Sequence, residues 1–161
     1  MKRLFSIFLA TLLALGLSAC QKTDYTDLPT SQELSHRTIA ALQHENDYIA
    51  AETDLLEDYF SMPDFVHDHA IYFCADRNNL DEIGIFHVTA GHAKEMQALL
   101  RDYLTESFDN NRAWYDSYIP QQTPKLRDAE VRIFGNYVAY AILSAADRHR
   151  FFAEIESFLQ K

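Results

Sequence analysis

The sequence predicts an α+β domain: N-terminal helices, then two ββα units that form a four-stranded antiparallel sheet with helices packed on one face. Three observations predict it. Two pairs of short apolar runs, AIYFCA (70–75) with EIGIFHV (82–88) and AEVRIF (129–134) with YVAYAIL (137–143), are each joined by turn-forming residues. Each pair is followed by a longer stretch whose apolar residues recur at helical spacing. The chain is 48% hydrophobic with only four glycines and four prolines, which suits one packed core and excludes a low-complexity tract.

The elements follow in order. Ser31 is placed to cap a first helix, with Leu34, Thr38, Ala41, Leu42, Tyr48 and Ile49 at helical spacing. A second helical piece sets Leu55, Leu56, Tyr59 and Phe60 against Glu52, Asp54, Glu57 and Asp58, and Pro63 ends it. DRNNLD (76–81) turns the first hairpin. Thr89 or Gly91 opens a long helix whose stripe runs through Met96, Leu99, Leu100, Tyr103, Leu104, Phe108, Trp114/Tyr115 and Tyr118; it must stop before Pro120. A loop over 119–127 leads to the second hairpin, whose Gly135-Asn136 suits a two-residue turn with positive φ. Ser144 caps a final helix with Phe151, Phe152, Ile155, Phe158 and Leu159 inward. Segments 82–104 and 137–159 share one layout, with Met96 matching Phe151 and Leu100 matching Ile155, so an internal repeat is a candidate.

The first residues carry a different signal. Lys2 and Arg3 precede an uncharged apolar stretch from Leu4 to Leu17, too short for a comfortable membrane span, which reads as a signal peptide over 1–19. Leu17-Ser18-Ala19 is followed at once by Cys20, a string that resembles the bacterial lipobox. There a diacylglyceryl group is transferred to the cysteine sulfur, which requires a thiolate nucleophile. Residues 20–30 then read as a polar tether from the lipidated cysteine; ten flexible residues reach roughly 18 Å. The single α+β domain occupies 31–161. A net charge of −10, more negative once Lys2 and Arg3 are removed, excludes nucleic acid and anionic lipid as electrostatic partners. The lipid must carry the anchoring, and stable anchoring takes more than one acyl chain. With Cys20 acylated, Cys74 has no partner for a disulfide.

DEIGIF (81–86), YIP (118–120) and GNYV (135–138), in that order behind a lipobox, resemble a family of small bacterial lipoproteins known as domain of unknown function 4358. The resemblance implies a lipid-anchored extracytoplasmic domain. It transfers no catalytic or binding residue. Read physically, Gly135-Asn136 supplies turn dihedrals and Ile83, Ile85 and Val138 supply strand core. Asp81-Glu82 reads as a charged strand entrance rather than as functional carboxylates.

Three groups of side chains remain as candidate chemistry. His67 and His69 stand two apart in VHDH (66–69), which on a regular strand places both on one face; with His87 and His92 they form a candidate metal set. Trp114, Tyr115 and Tyr118 gather at a helix end and form the candidate ligand-binding patch, since such rings suit surfaces that are part apolar and part wet. Cys74, mid-strand between Phe73 and Ala75, reads as a buried inert thiol. With 24 acidic residues, neighbouring carboxylates are expected by chance and do not make a glycosidase pair. No phosphate cradle or serine-nucleophile motif exists, and no cofactor is expected.

The sequence therefore favours a non-enzymatic binding or interaction module, anchored to the bilayer through acylated Cys20 on the extracytoplasmic face of the cell membrane. Its partner would be an envelope protein or a small ligand. A metal-binding lipoprotein and a small cell-envelope hydrolase are the alternatives. Cys20→Ala should release the protein from the membrane fraction with its leader uncleaved or cleaved elsewhere. Retention of the variant on membranes after a high-salt wash would refute the lipobox reading.

Overall fold

The computed structural model describes residues 24–42, 48–51 and 61–161. Cys20 and its leader lie outside the described residues, as does most of the second N-terminal helix expected near 52–60. The elements are α1 (Ser31–Ala41), β1 (Tyr48–Ala50), β2 (Val66–Cys74), β3 (Glu82–Val88), α2 (Ala93–Tyr118), α3 (Thr123–Arg127), β4 (Glu130–Phe134), β5 (Tyr137–Ile142) and α4 (Ala145–Leu159). The fold is α+β with a five-stranded, fully antiparallel sheet ordered β1-β2-β3-β5-β4.

Strands β3 and β5 lie at the centre, and all six residues of β5 are buried. A strand apolar on both sides needs cover on both sides. Ile83, Ile85, Ala139 and Ala141 face α1 and α4, meeting Leu34, Phe151, Phe152 and Ile155. Phe86, Val88, Val138 and Ile142 face α2, meeting Met96, Leu100 and Leu104. The sheet is thus sandwiched between helices. The expectation of helices on one face fails because a short apolar run does not reveal whether one or both faces are buried.

The expected repeat fails for a related reason. Ile83 and Ile85 look toward α1 and α4, but Val138 and Tyr140, at matching positions, look toward α2. A two-fold axis exchanging antiparallel neighbours must pass through the sheet, and it leaves each face where it was. Helices α2 and α4 lie on opposite faces, so the shared layout of 82–104 and 137–159 is not a symmetry of the fold.

Five local expectations are also corrected. The sheet has a fifth strand: Tyr48–Ala50, whose spacing continues the first helix, instead pairs with Tyr72–Cys74 along the edge of β2. The cap of α1 is Thr30, in a capping box with Glu33, while the Ser31 N–H donates to Asp68 Oδ1 at 2.7 Å. Helix α2 starts at Ala93, after the turn containing Gly91, and the loop expected at 119–127 contains α3. Finally, residues 24–30 of the expected tether form an arm fixed to the body. Tyr25 bridges to Gln160 and packs edge-on against Phe134. Thr26 N–H donates to the Leu159 carbonyl at 2.8 Å, Asn136 Nδ2 to Asp27 Oδ2 at 2.8 Å, and the Tyr137 hydroxyl to the Pro29 carbonyl at 2.5 Å. Polar side chains hid an attachment made largely by the backbone.

Two features position the site. The arm and the β4–β5 turn mark one end of the sheet; Glu82 and Ile142 mark the other. Helix α2 starts near the arm end, since Val88 bonds to Asn136 beside the turn. Its 26 residues extend about 39 Å, against about 24 Å for β3, so its last turns overhang the far end.

In the β4–β5 turn only Gly135 has positive φ, at 61°. A glycine-first turn of this kind is the II′ pattern, not one needing both residues left-handed. A Cβ on Gly135 would also stand 3.0 Å from Tyr25 Cβ. Gly135→Val should therefore cost about 1–3 kcal/mol, read as a lowered urea midpoint. An unchanged midpoint would show that neither the dihedral nor the arm contact constrains this turn.

Candidate functional site

The far end of the sheet is organised around one carboxyl group. Glu82 opens β3, opposite Phe73 on β2 and Ile142 on β5. Alternation turns its side chain toward α2. The next residue on that face is Gly84, paired with Tyr140. A Cβ at Gly84 would lie 2.1 Å from Tyr140 Cε1, so the Tyr140 ring occupies the space a side chain would take. The ring reaches across Gly84, and its hydroxyl donates to Glu82 Oε1 at 2.5 Å. From α2 the Tyr103 hydroxyl donates to the same oxygen at 2.9 Å. The two phenol rings meet edge to face at 5.8 Å. Burial pushes the Glu82 carboxyl above the usual carboxylate range, outweighing the two phenol hydrogen bonds that favour its charged form. Burial, reinforced by Glu82, holds the Tyr140 phenol well above its ordinary value.

Glu82 lines a groove of about 290 Å³ between the sheet and α2. Ile71, Phe73, Leu80 and Ile142 supply apolar wall, while Ser107, Asn111 and Tyr115 line it along the helix. Among the described lining residues Glu82 is the only charged one. A larger recess of about 490 Å³ lies beside α3, lined by Arg101, Arg127 and Glu130. There Arg127 is paired with Asp128 at 2.7 Å, and Glu130 with Arg132 and Arg148 at 2.6 and 2.8 Å.

Asp81 has a different role from its neighbour. It is 3% exposed and paired with Lys125 of α3 at 2.6 Å; Asn79 and Tyr48 also donate to it. Burial, then the Asp81 charge, pushes the Tyr48 phenol upward. Asp81 thus ties the first hairpin to α3 and β1. Asp81 and Glu82 do stand at the entrance of β3, as the sequence suggests, but their settings differ: Asp81 is in an interior ion pair and Glu82 lines the groove.

The sequence-predicted aromatic residues divide. Tyr115 is half-buried, packs on the core under α2 and lines the groove. Trp114 and Tyr118 point outward, 52% and 70% exposed, and stack on each other at 5.2 Å. They form an exposed ring pair at the overhanging end of α2, beside Tyr115.

The four histidines do not converge. A bulge between Val66 and Asp68 inserts an extra residue at His67, which breaks the two-residue alternation. His67 comes to lie 5.4 Å from the His87 ring, whereas His69 stacks on Phe86. His92 stacks on Phe65 and pairs with Glu95 at 3.0 Å. His87 stacks on Tyr137 and faces Asp68 at 3.3 Å. Among the described residues no group of three or more His, Cys, Asp or Glu is arranged to hold a metal ion. Burial also pushes His69 below the ordinary imidazole value. Cys74 is buried and free.

The residues that sequence reasoning missed are Glu82, Tyr103 and Tyr140, which come from three separate stretches of the chain. The available signal was a glycine inside a strand, which marks a close approach, together with a glutamate two residues before it. No family model, curated protein or solved structure matches this chain.

The raised carboxyl has a consequence for stability. The folded state holds the Glu82 proton more tightly than the unfolded chain does. Its stabilising contribution is complete below about pH 4.3 and is lost as pH rises through the raised folded value. Glu82→Gln removes the titration but keeps an oxygen for the two phenols. The stability of wild type relative to Glu82→Gln, from urea melts across this range, should fall as pH rises. A difference that grows with pH would mean that the fold favours the carboxylate.

Proposed function

We propose that this chain is a lipid-anchored binding module on the extracytoplasmic face of the cell membrane, which recognises its ligand or partner without chemical conversion. The observation that carries this reading is the exposed Trp114–Tyr118 stack, with Trp114 edge-on against Tyr115, which lines the groove, at the end of the fold remote from residue 24. Large rings held in water at the edge of a concave surface are typical of recognition sites. An anchor at Cys20, just upstream of the arm, would leave this end facing away from the bilayer. The leader, the lipobox-like LSAC string and the net negative charge support the compartment, as does the resemblance carried by DEIGIF, YIP and GNYV.

A small hydrolase is the second reading, because a carboxyl with a raised pKa in a cleft is what a general acid requires. The groove's composition favours binding. Among its described lining residues Glu82 has no second carboxylate beside it, and no base is hydrogen-bonded to the Ser107 hydroxyl.

A photoreactive amino acid at position 118, introduced in living cells, should yield a discrete crosslinked species. The same probe at Glu156, on the face of α4 near the arm, should not, and Trp114→Ala should weaken the adduct at 118. Identical adducts from both positions, or none from position 118, would overturn the proposal.

A further inference from the structure

Resting on the binding-module reading, we propose that the groove takes a small organic monocation, with an ammonium group on Glu82 Oε2 and an apolar body against Ile71, Phe73, Leu80 and Ile142. The hydrogen bonding of Glu82 is lopsided. Both phenol hydroxyls donate to Oε1, and each has only one proton to give. No described residue donates to Oε2. Glu82 lines the groove with this oxygen left free to accept, so a ligand bearing N–H donors can supply the hydrogen bonds that the described residues do not.

The surroundings select the sign of the ligand's charge. No lysine or arginine is among the described lining residues, so a cation meets no like charge there. An anion would face Glu82 and a chain of net charge −10. Phe73 and Tyr115 add π surfaces, which attract ammonium groups within reach. A neutral alcohol of the same shape could make the hydrogen bond but not the charge contact. The groove's 290 Å³ lies near the lower end of the roughly 300–1,000 Å³ of ligand sites, so the ligand is compact.

Linkage gives a distinguishing pH dependence. Ammonium binding favours ionised Glu82, so affinity should rise with pH as Glu82 loses its proton. It should fall again only when the amine itself deprotonates, around pH 10. The other titratable or charged groups near Glu82 among the described residues are Tyr103 and Tyr115 from α2, Tyr140 from β5, Tyr48 from β1, Cys74 from β2, Arg77 from the turn after β2, which shares an adjoining recess with Glu82, and Asp81 with its partner Lys125 from α3. Tyr48 and Tyr140 are pushed upward and stay neutral through the rise.

The test uses full-length protein in lipid nanodiscs, with empty nanodiscs as reference. The probes are phenethylamine, phenethyl alcohol and 3-phenylpropionate, followed by calorimetry and by the fluorescence of Trp114, the single tryptophan. Phenethylamine should bind at least about tenfold more tightly than either other probe, a difference of about 1.4 kcal/mol. Its affinity should increase from mildly acidic to mildly alkaline buffer. Glu82→Gln should remove the preference. Ser107→Leu, which narrows the groove without touching Glu82, should weaken amine binding even if the glutamine variant folds poorly. Equal binding of alcohol and amine, affinity that falls as pH rises, or amine binding unaffected by both variants would overturn the monocation proposal. Failure of all three probes while the crosslink at position 118 persists would also overturn it, yet leave the binding module standing. Loss of that crosslink would overturn the module itself.

Discussion

The Tyr140 ring lying across Gly84 is the contact on which the far end of this fold depends. Glycine is needed there not for an unusual dihedral but because any side chain would occupy the ring's own volume. Once the ring lies flat over the strand, its hydroxyl falls beside Glu82 two residues away, and Tyr103 completes the pair of donors from the helix above. One contact therefore links the centre of the sheet, the placement of α2 and the position of a carboxyl group. Because Phe86 stacks on the same ring at 6.3 Å, the link continues into the core beneath α2.

The two sides of the sheet are built differently. Beneath α1 and α4, β5 presents Ala139 and Ala141, and small residues there let Phe151, Phe152 and Ile155 approach closely. On the other side Val138, Tyr140 and Ile142 stand taller, and α2 makes a second, separate core with Met96, Leu100 and Leu104. Polar ties fasten the edges. Lys125 and Asp81 join α3 to the first hairpin, and Arg148 of α4 reaches Glu130 of β4. An interior ion pair such as Asp81–Lys125 contributes little net stability over an apolar pair. It does specify which loop meets which strand.

Much of the layout was legible because it is local. The strands at 82–88 and 137–142 and the Ser144 cap follow from short runs and single residues. What was not legible depends on partners distant in sequence. Tyr48 and Ile49 keep helical spacing with Leu34, but the open edge of β2 claims them as a strand. His67 and His69 obey a strict alternation until the bulge, set by register against β3, sends them apart. The polar letters of 24–30 say nothing about the carbonyls and amides that bind the arm. The candidate site was half legible: Trp114, Tyr115 and Tyr118 fall at the end of α2 as expected, but only Tyr115 keeps to the apolar stripe, while Trp114 and Tyr118 are turned to solvent. Glu82 looked like any charged residue opening a strand, because the two tyrosines that change its chemistry lie on other elements.

The arm has a mechanical consequence. Its attachments, from Asp24 with Lys161 through Thr26, Asp27 and Pro29 to Ser31, lie in sequence along the chain. A pull on residue 24 loads them one after another, so they part in sequence rather than all at once. Peeling residues 24–30 would release roughly 24 Å of chain and leave the sheet intact. The arm then acts as a mechanical fuse: a load at residue 24 is taken up by the arm before it reaches the sheet, and the arm re-forms when the load is removed.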